Sequence, residues 1–395
     1  MSANGAVRRA LVCAPLLPEF DREGGSRRIF YLIDALREAG WAVSFVAENP
    51  YGDERYVRIL QQHGVAVYRG FGPRTMDHLK FGRFDVAIFA FWYLAADQMM
   101  ELRRLSPETK IFVDVIDLHW LRHTRRYFLQ RVPGLEAPEG ETSSSDFASD
   151  MVRELSAYAQ ADAVLTTSAE EADMIHDLLG KESHAFTVPS PENNVSSDVP
   201  FEDRNGILFV ANFNHPPNLD AFTFFCDEIL PKIDPDLLSE HRFSVVGHRP
   251  PQVLLDYAKA SPHVQVVGWV PSVVPYLQHA RVTVVPMRYG AGTKTKLLQA
   301  LMVHTPTVTT TPGIEGLNLV PGRHVLLADD ADSFARATER LLTDAELWGQ
   351  LERNCSEHVE DRHSRGAVRD RLLEVLESRL DSPPAEAPAA TVEPG

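Results

Sequence analysis

Cysteine is scarce in this chain of 395 residues: there are three, Cys13, Cys226 and Cys355, far apart and outside any CxxC or metal-like spacing. That excludes a disulfide scaffold and a cysteine-rich zinc module, and it fits buried free thiols in a reducing cytosol. Basic charge is also short, with 39 Lys and Arg against 55 Asp and Glu, a net charge of −16. A general binder of nucleic acid or of acidic membranes needs a basic face, so both classes fall away, although a local basic pocket does not. No apolar run approaches the about 20 residues that span a bilayer. The opening residues MSANGAVRRA hold no apolar signal core. The expectation is a cytoplasmic protein with no integral membrane segment.

What is present is an ordinary globular composition, 44% apolar and 24% charged, in a chain long enough for two cores. Short β-rich runs alternate with helical stretches. The spacing predicts strands over Ala10–Ala14, Ala42–Ala47, Val65–Tyr68, Val86–Phe91, Ile111–Val115 and Ala163–Thr167. Between the first two, Ser26–Ala39 puts Ile29, Leu32, Ile33 and Leu36 on one helical face and stops at Gly40. Nearly continuous apolar strands between amphipathic helices indicate a parallel sheet covered on both faces. Residues 187–206, TVPSPENNVSSDVPFEDRNG, break the pattern and read as a polar linker. The alternation then restarts over Ile207–Ala211, Phe243–Val246, Val264–Val267, Val282–Val285, Thr307–Thr310 and His324–Leu327. The fold class is therefore α/β, with two doubly wound units. Residues 132–147, VPGLEAPEGETSSSDF, read as a long mobile loop, and the tail from Asp381 as disordered by composition.

The stretch MRYGAGTKTKLLQALMVHTP, Met287 to Pro306, carries the chemistry. A strand runs into Gly290 and Gly292, and a helix is expected from about Thr293. In doubly wound sheets ligands lie beyond the carboxyl ends of the strands. Glycines there let the backbone approach a ligand, and the helix start offers free amides and the positive end of its dipole. Arg288, Lys294 and Lys296 add full charges. Two readings stay open from the residues alone: a phosphate seat, or a glycine turn with solvated lysines. Neither the Walker spacing nor the dinucleotide fingerprint fits. Gln299 could reach a ribose hydroxyl, because helical side chains lean toward the helix start, or it could occupy an exposed helix position.

Taken together, the motifs resemble a retaining glycosyltransferase of the GT-B fold, family 4, in the bacterial group 1 or O-antigen-type and natural-product subgroup. FVANFNHPPNLDAFTFF (Phe209–Phe225), VVPMRYGAGTKTKLLQAL, TPGIEGL, HVLLADDADSFARA and DVIDLHWLR (Asp114–Arg122) match in order and spacing, over about residues 9 to 380. The resemblance implies two Rossmann-like domains facing a central cleft. An acceptor-side domain would cover residues 1–190, a linker 191–206 and a nucleotide-sugar domain 207–362, with a helix over 363–380 crossing back to the first domain.

The resemblance also implies roles. The donor diphosphate would lie at Gly290, Ala291, Gly292 and Thr293, with Arg288 and Lys294 as catalytic cations and Lys296 beside them. Gln299 stands where a ribose-binding glutamate is usual. His119 would face the donor sugar, Gly24 and Gly25 would form a closing loop after the first strand, and Trp269 and Val270 would bracket the base. Asn214, His215 and Gly247 join the donor side. Glu315 could touch sugar hydroxyls, or serve only the structure of its loop. His119 could equally cap its strand end beside Asp117. The implied reaction is retaining and metal-independent, from a UDP- or GDP-linked sugar as donor substrate, with no cofactor, to a small-molecule or saccharide acceptor. Asp234-Pro235-Asp236 is a DxD sequence in a surface-like connection and not an expected metal site. Departures such as Gln299, Ala291 and His304 leave open a weakened scaffold partner, and the fold leaves open a sugar-nucleotide epimerase. Homodimerisation is also open.

Overall fold

The computed structural model of the chain describes residues 7–129, 144–193, 195 and 197–380. The expected mobile loop lies outside the described residues up to residue 143, and its last four residues open the helix Ser144–Gln160. The expected disordered tail lies outside them altogether.

The first sheet contains β1 (Arg9–Ala14), β2 (Ala42–Ala47), β3 (Ala66–Arg69), β4 (Val86–Ala90), β5 (Lys110–Val115), β6 (Ala163–Thr166) and β7 (Ala185–Thr187). Its spatial order is β3-β2-β1-β4-β5-β6-β7. The second contains β8 (Ile207–Val210), β9 (Phe243–Val246), β10 (Val264–Gly268), β11 (Val282–Val285), β12 (Thr307–Thr309) and β13 (Leu326–Leu327), in the order β10-β9-β8-β11-β12-β13. Every strand pair in both sheets is parallel. The order reverses between β1 and β4 and between β8 and β11, the switch points at which doubly wound sheets open a crevice.

Burial explains why these runs are strands. β4 and β5 are buried along their whole length, as apolar runs covered on both faces must be. The helix Gly24–Glu38 packs Ile29, Leu32, Ile33 and Leu36, all at most 4% exposed, against the first sheet. It starts two residues earlier than its periodicity predicts, so Gly24 and Gly25 form its first turn and are not part of a loop. A Cβ on Gly24 would lie 2.6 Å from Oγ1 of Thr295 in the second domain, so the close approach of the domains requires glycine there. Inside the first domain, Arg28 and Asp114, both buried, join at 2.6 Å, and Nη1 of Arg28 also donates to the carbonyls of Val188 and Pro189.

The final helix, Arg365–Leu380, places Val368, Leu372, Val375 and Leu376 in the first domain's core. The two crossing segments of the chain run side by side: the amide of Glu192 donates to the His363 carbonyl at 2.9 Å. The Nδ1 of the buried His363 ring donates to Ser190 O at 2.9 Å, and burial lowers its pKa to about 4, keeping the ring neutral. Among the described residues no helix is long and apolar enough to cross a membrane.

Candidate functional site

The carboxyl ends of both sheets face one cleft of about 460 Å³. The segments that follow β1, β4, β5, β8, β9, β10 and β11 all contribute to its walls, so the switch points of the two domains open toward each other. Its lining brings together Lys294, Gly24, Gly25, Asn214, His215, Gly247, Trp269, Val270, Gly290, Ala291, Thr293, Lys296 and Gln299.

The loop after β11 is built as a seat. Thr310 Oγ1 donates to Met287 O at 2.5 Å and anchors its start. Gly292, at φ 69°, is pressed so close to the first domain that a Cβ would lie 2.7 Å from the carbonyl oxygen of Ile116. The helix opens at Thr295, not Thr293, because Lys294 is still extended at ψ 91° and caps it. The buried Lys294 side chain donates to Gly292 O at 2.7 Å. Burial lowers its pKa, while Glu315 and Glu171 pull the other way. Lys296 makes no ion pair among the described residues. Burial, and then Lys294, lower its pKa to about 7. Lys294 pairs with Glu315 only at 3.9 Å and Lys296 pairs with no carboxylate among the described residues, so two buried amines here favour an anion beside them.

Gln299 is buried, which removes the exposed-helix reading. With its amide oriented to satisfy both ends, its carbonyl accepts from the guanidinium of Arg27 across the cleft. Arg27 also donates to Glu192 at 2.9 Å and to Phe20 O at 3.1 Å. Trp269 is 42% exposed at the rim, with the Arg22 guanidinium 6.0 Å from its ring. Burial, followed by Arg122, lowers His215 to about 3, so this ring is a neutral wall.

Other expected residues fall elsewhere. Arg288 does not line the cleft: it donates to Asp220 at 2.5 and 3.0 Å, and this carboxylate on the helix Pro216–Phe224 uses its charge. His119 stands behind the lining, its Nε2 3.3 Å from Asp117 and its ring 5.9 Å from those of Phe91 and Tyr93. This is the strand-end position beside Asp117. Asp117 and Arg122, which pair with each other, line the cleft in its place. Burial acts to raise the Asp117 pKa, but Arg122 and His119 overcome it and hold the carboxyl below its ordinary range. Gly292 and Glu315 are also outside the lining, and Glu315 is taken by Arg125. Asp234 accepts from the amide of Asp236 at 2.8 Å and caps the helix Pro235–Glu240. Among the described residues no group of three or more His, Cys, Asp or Glu is placed to hold a metal.

Sequence reasoning missed Arg122 and Arg125 as site residues. Both belong to the helix His119–Leu129, whose run HWLRHTRRYFL spaces them three apart on one face, a signal that was there to read. The residue before that helix is Leu118, whose side chain cannot cap it. The amides of His119 and Trp120 donate instead to the buried Glu154, at 3.0 and 2.9 Å.

Residues 204–344 match the family described as glycosyl transferases group 1. No curated protein matches the chain. Among solved structures, the fold is similar to that of a sucrose-phosphate synthase from Thermosynechococcus elongatus, at 18% identity and TM-score 0.71, covering 94% of this chain and 99% of that one. It is also similar to HepE of Anabaena solved with UDP, at 10% identity and TM-score 0.69, covering 94% and 100%. TarM gives 8% identity and TM-score 0.72, covering 94% and 99%. The chain has the GT-B fold, and its residues 204–344 are similar to the group 1 glycosyl transferases.

Proposed function

We propose that the protein transfers a glycosyl group from a nucleoside-diphosphate sugar to a small-molecule or saccharide acceptor, with retention at the anomeric carbon and without a metal. The observation that carries this reading is the loop 287–294 with Lys294 and Lys296. Its glycines, its helix start and its two lysines are gathered at the end of β11, against a cleft. As a glycosidic bond breaks, the leaving diphosphate gains negative charge. Amides and ammonium groups fixed there stabilise the transition state more than the ground state.

Retention follows the family resemblance, with front-face attack and the departing phosphate accepting the acceptor's proton. Asp117, held by Arg122 and backed by His119, lies on the opposite wall, where the transferred sugar would rest. Contact between the domains keeps water from the donor. Structures of HepE exist with UDP and with UDP-glucose, which makes UDP the first nucleotide to test here.

Calorimetric titration of UDP, GDP and dTDP tests the proposal. At least one should bind below millimolar, and Lys294→Ala should weaken it about tenfold or more. Absence of binding by all three, with no effect of the substitution, removes the reading. Turnover of any sugar nucleotide removes the alternative of a non-catalytic partner.

A further inference from the structure

Arg125 reaches from the first domain into the loop of the second. Its Nη1 donates to Gly290 O at 2.6 Å and to Glu315 Oε2 at 2.5 Å, and its Nη2 donates to Glu315 Oε1 at 2.9 Å. Both oxygens of Glu315 are thereby engaged in a bidentate pair, the strong geometry for a guanidinium and a carboxylate. Glu315 is also the carboxylate that Lys294 faces, with Nζ 3.9 Å from Oε2, while Nζ donates to the Gly292 carbonyl at 2.7 Å. Charge attraction falls with distance, and a carboxylate already bonded twice to a guanidinium takes little more from an ammonium at that range. Lys294 pairs with Glu315 only at this longer range and so keeps part of its field for an incoming anion.

We propose that Arg125 is a positioning residue for the phosphate seat: it ties down Glu315 and the Gly290 carbonyl, and so leaves Lys294 free to meet a diphosphate. This inference rests on the proposed function. Without Arg125, Glu315, whose side chain is 34% exposed, can close on Lys294 and neutralise it. The Gly290 carbonyl then loses its donor as well, and the backbone at φ 145° is no longer pinned from across the cleft. Because the arginine belongs to the opposite domain, the seat is complete only while the domains are together. Anion binding and domain closure thus favour each other by linkage.

The test titrates UDP and inorganic pyrophosphate into the full chain and into Arg125→Gln, Glu315→Gln and the double variant. Neither probe carries a transferable sugar, so any contact between Glu315 and sugar hydroxyls does not enter. The expected result is a loss of about tenfold or more for Arg125→Gln and modest tightening for Glu315→Gln, with most of the loss recovered in the double variant. An arginine serving only as a strut between domains predicts no recovery, because the double variant lacks the strut too. Arg125→Lys, which keeps a charge for Glu315 but not the fork, should fall between wild type and Arg125→Gln, and it gives the same reading if the glutamine variant does not fold. The inference is overturned if Arg125→Gln binds as wild type does, or if the double variant binds as weakly as Arg125→Gln. If neither probe binds the wild type, the proposed function fails at its first step and this inference with it.

Discussion

Lys296 titrates where few lysines do, because burial and its neighbour Lys294 both oppose its charge. A diphosphate beside it reverses that balance, so its pKa in the complex must lie above the value of about 7 in the free protein. Between those two values binding takes up a proton. Affinity should therefore be greatest below the free pKa and fall as pH rises through it, by up to about tenfold per pH unit, with Lys294 acting in the same direction. Titrations of UDP between pH 7 and 9, in buffers of different ionisation enthalpy, would report this uptake directly; a flat profile with no proton exchange would contradict it. Arg288 leads to the opposite expectation. Its guanidinium belongs to Asp220, 1% exposed, so Arg288→Ala strands a buried carboxylate and should cost about 3 kcal/mol in chemical denaturation. UDP affinity should stay within about twofold of wild type, since no contact with the cleft is lost.

Elements were more legible than side-chain directions. Twelve of the thirteen strands, β7 excepted, lie within two residues of runs readable as apolar and β-branched, because parallel strands covered on both faces cannot avoid that composition. β7 is a three-residue strand at the sheet edge. His324 was read into β13 but belongs to the turn before it, where its Nδ1 accepts from the amide of Val320 at 3.0 Å. The loop after β11 was legible for a related reason: its glycines, its lysines and the helix that follows are contiguous in sequence, so one stretch holds most of the seat. The opposite wall was not. Arg125 reaches Gly290 across 165 positions and Arg27 bonds Glu192 across the same separation, and only the assembled fold brings such groups into register. For Arg288, residue type and spacing give the sign of the charge but not its partner. The helix Pro216–Phe224 supplies Asp220 from 68 positions away.

At the scale of the whole molecule, the two domains meet through contacts that only a closed arrangement allows. Thr293 Oγ1 lies 3.2 Å from Thr167 Oγ1, Arg125 spans to Glu315, and Gln299 accepts from Arg27. Gly292 meets the first domain's backbone, since a Cβ there would stand 2.7 Å from Ile116 O and 2.9 Å from Asp117 Cβ. Gly292→Ala should cost about 1–2 kcal/mol locally, because its φ of 69° disfavours any side chain. The larger effect is geometric. The clashing atoms belong to opposite domains, so the strain is relieved by moving the domains apart and not by unfolding either of them. The segments that cross between domains, near Glu192 and His363, lie together at one place and can act as the hinge for that movement. Gly292→Ala should therefore melt near the wild-type temperature while scattering as a more extended particle. Its nucleotide affinity should fall, because Arg125 no longer reaches the seat, and transfer should fall further, because water enters the open cleft. A variant with unchanged radius of gyration and full turnover would show that closure does not depend on this contact.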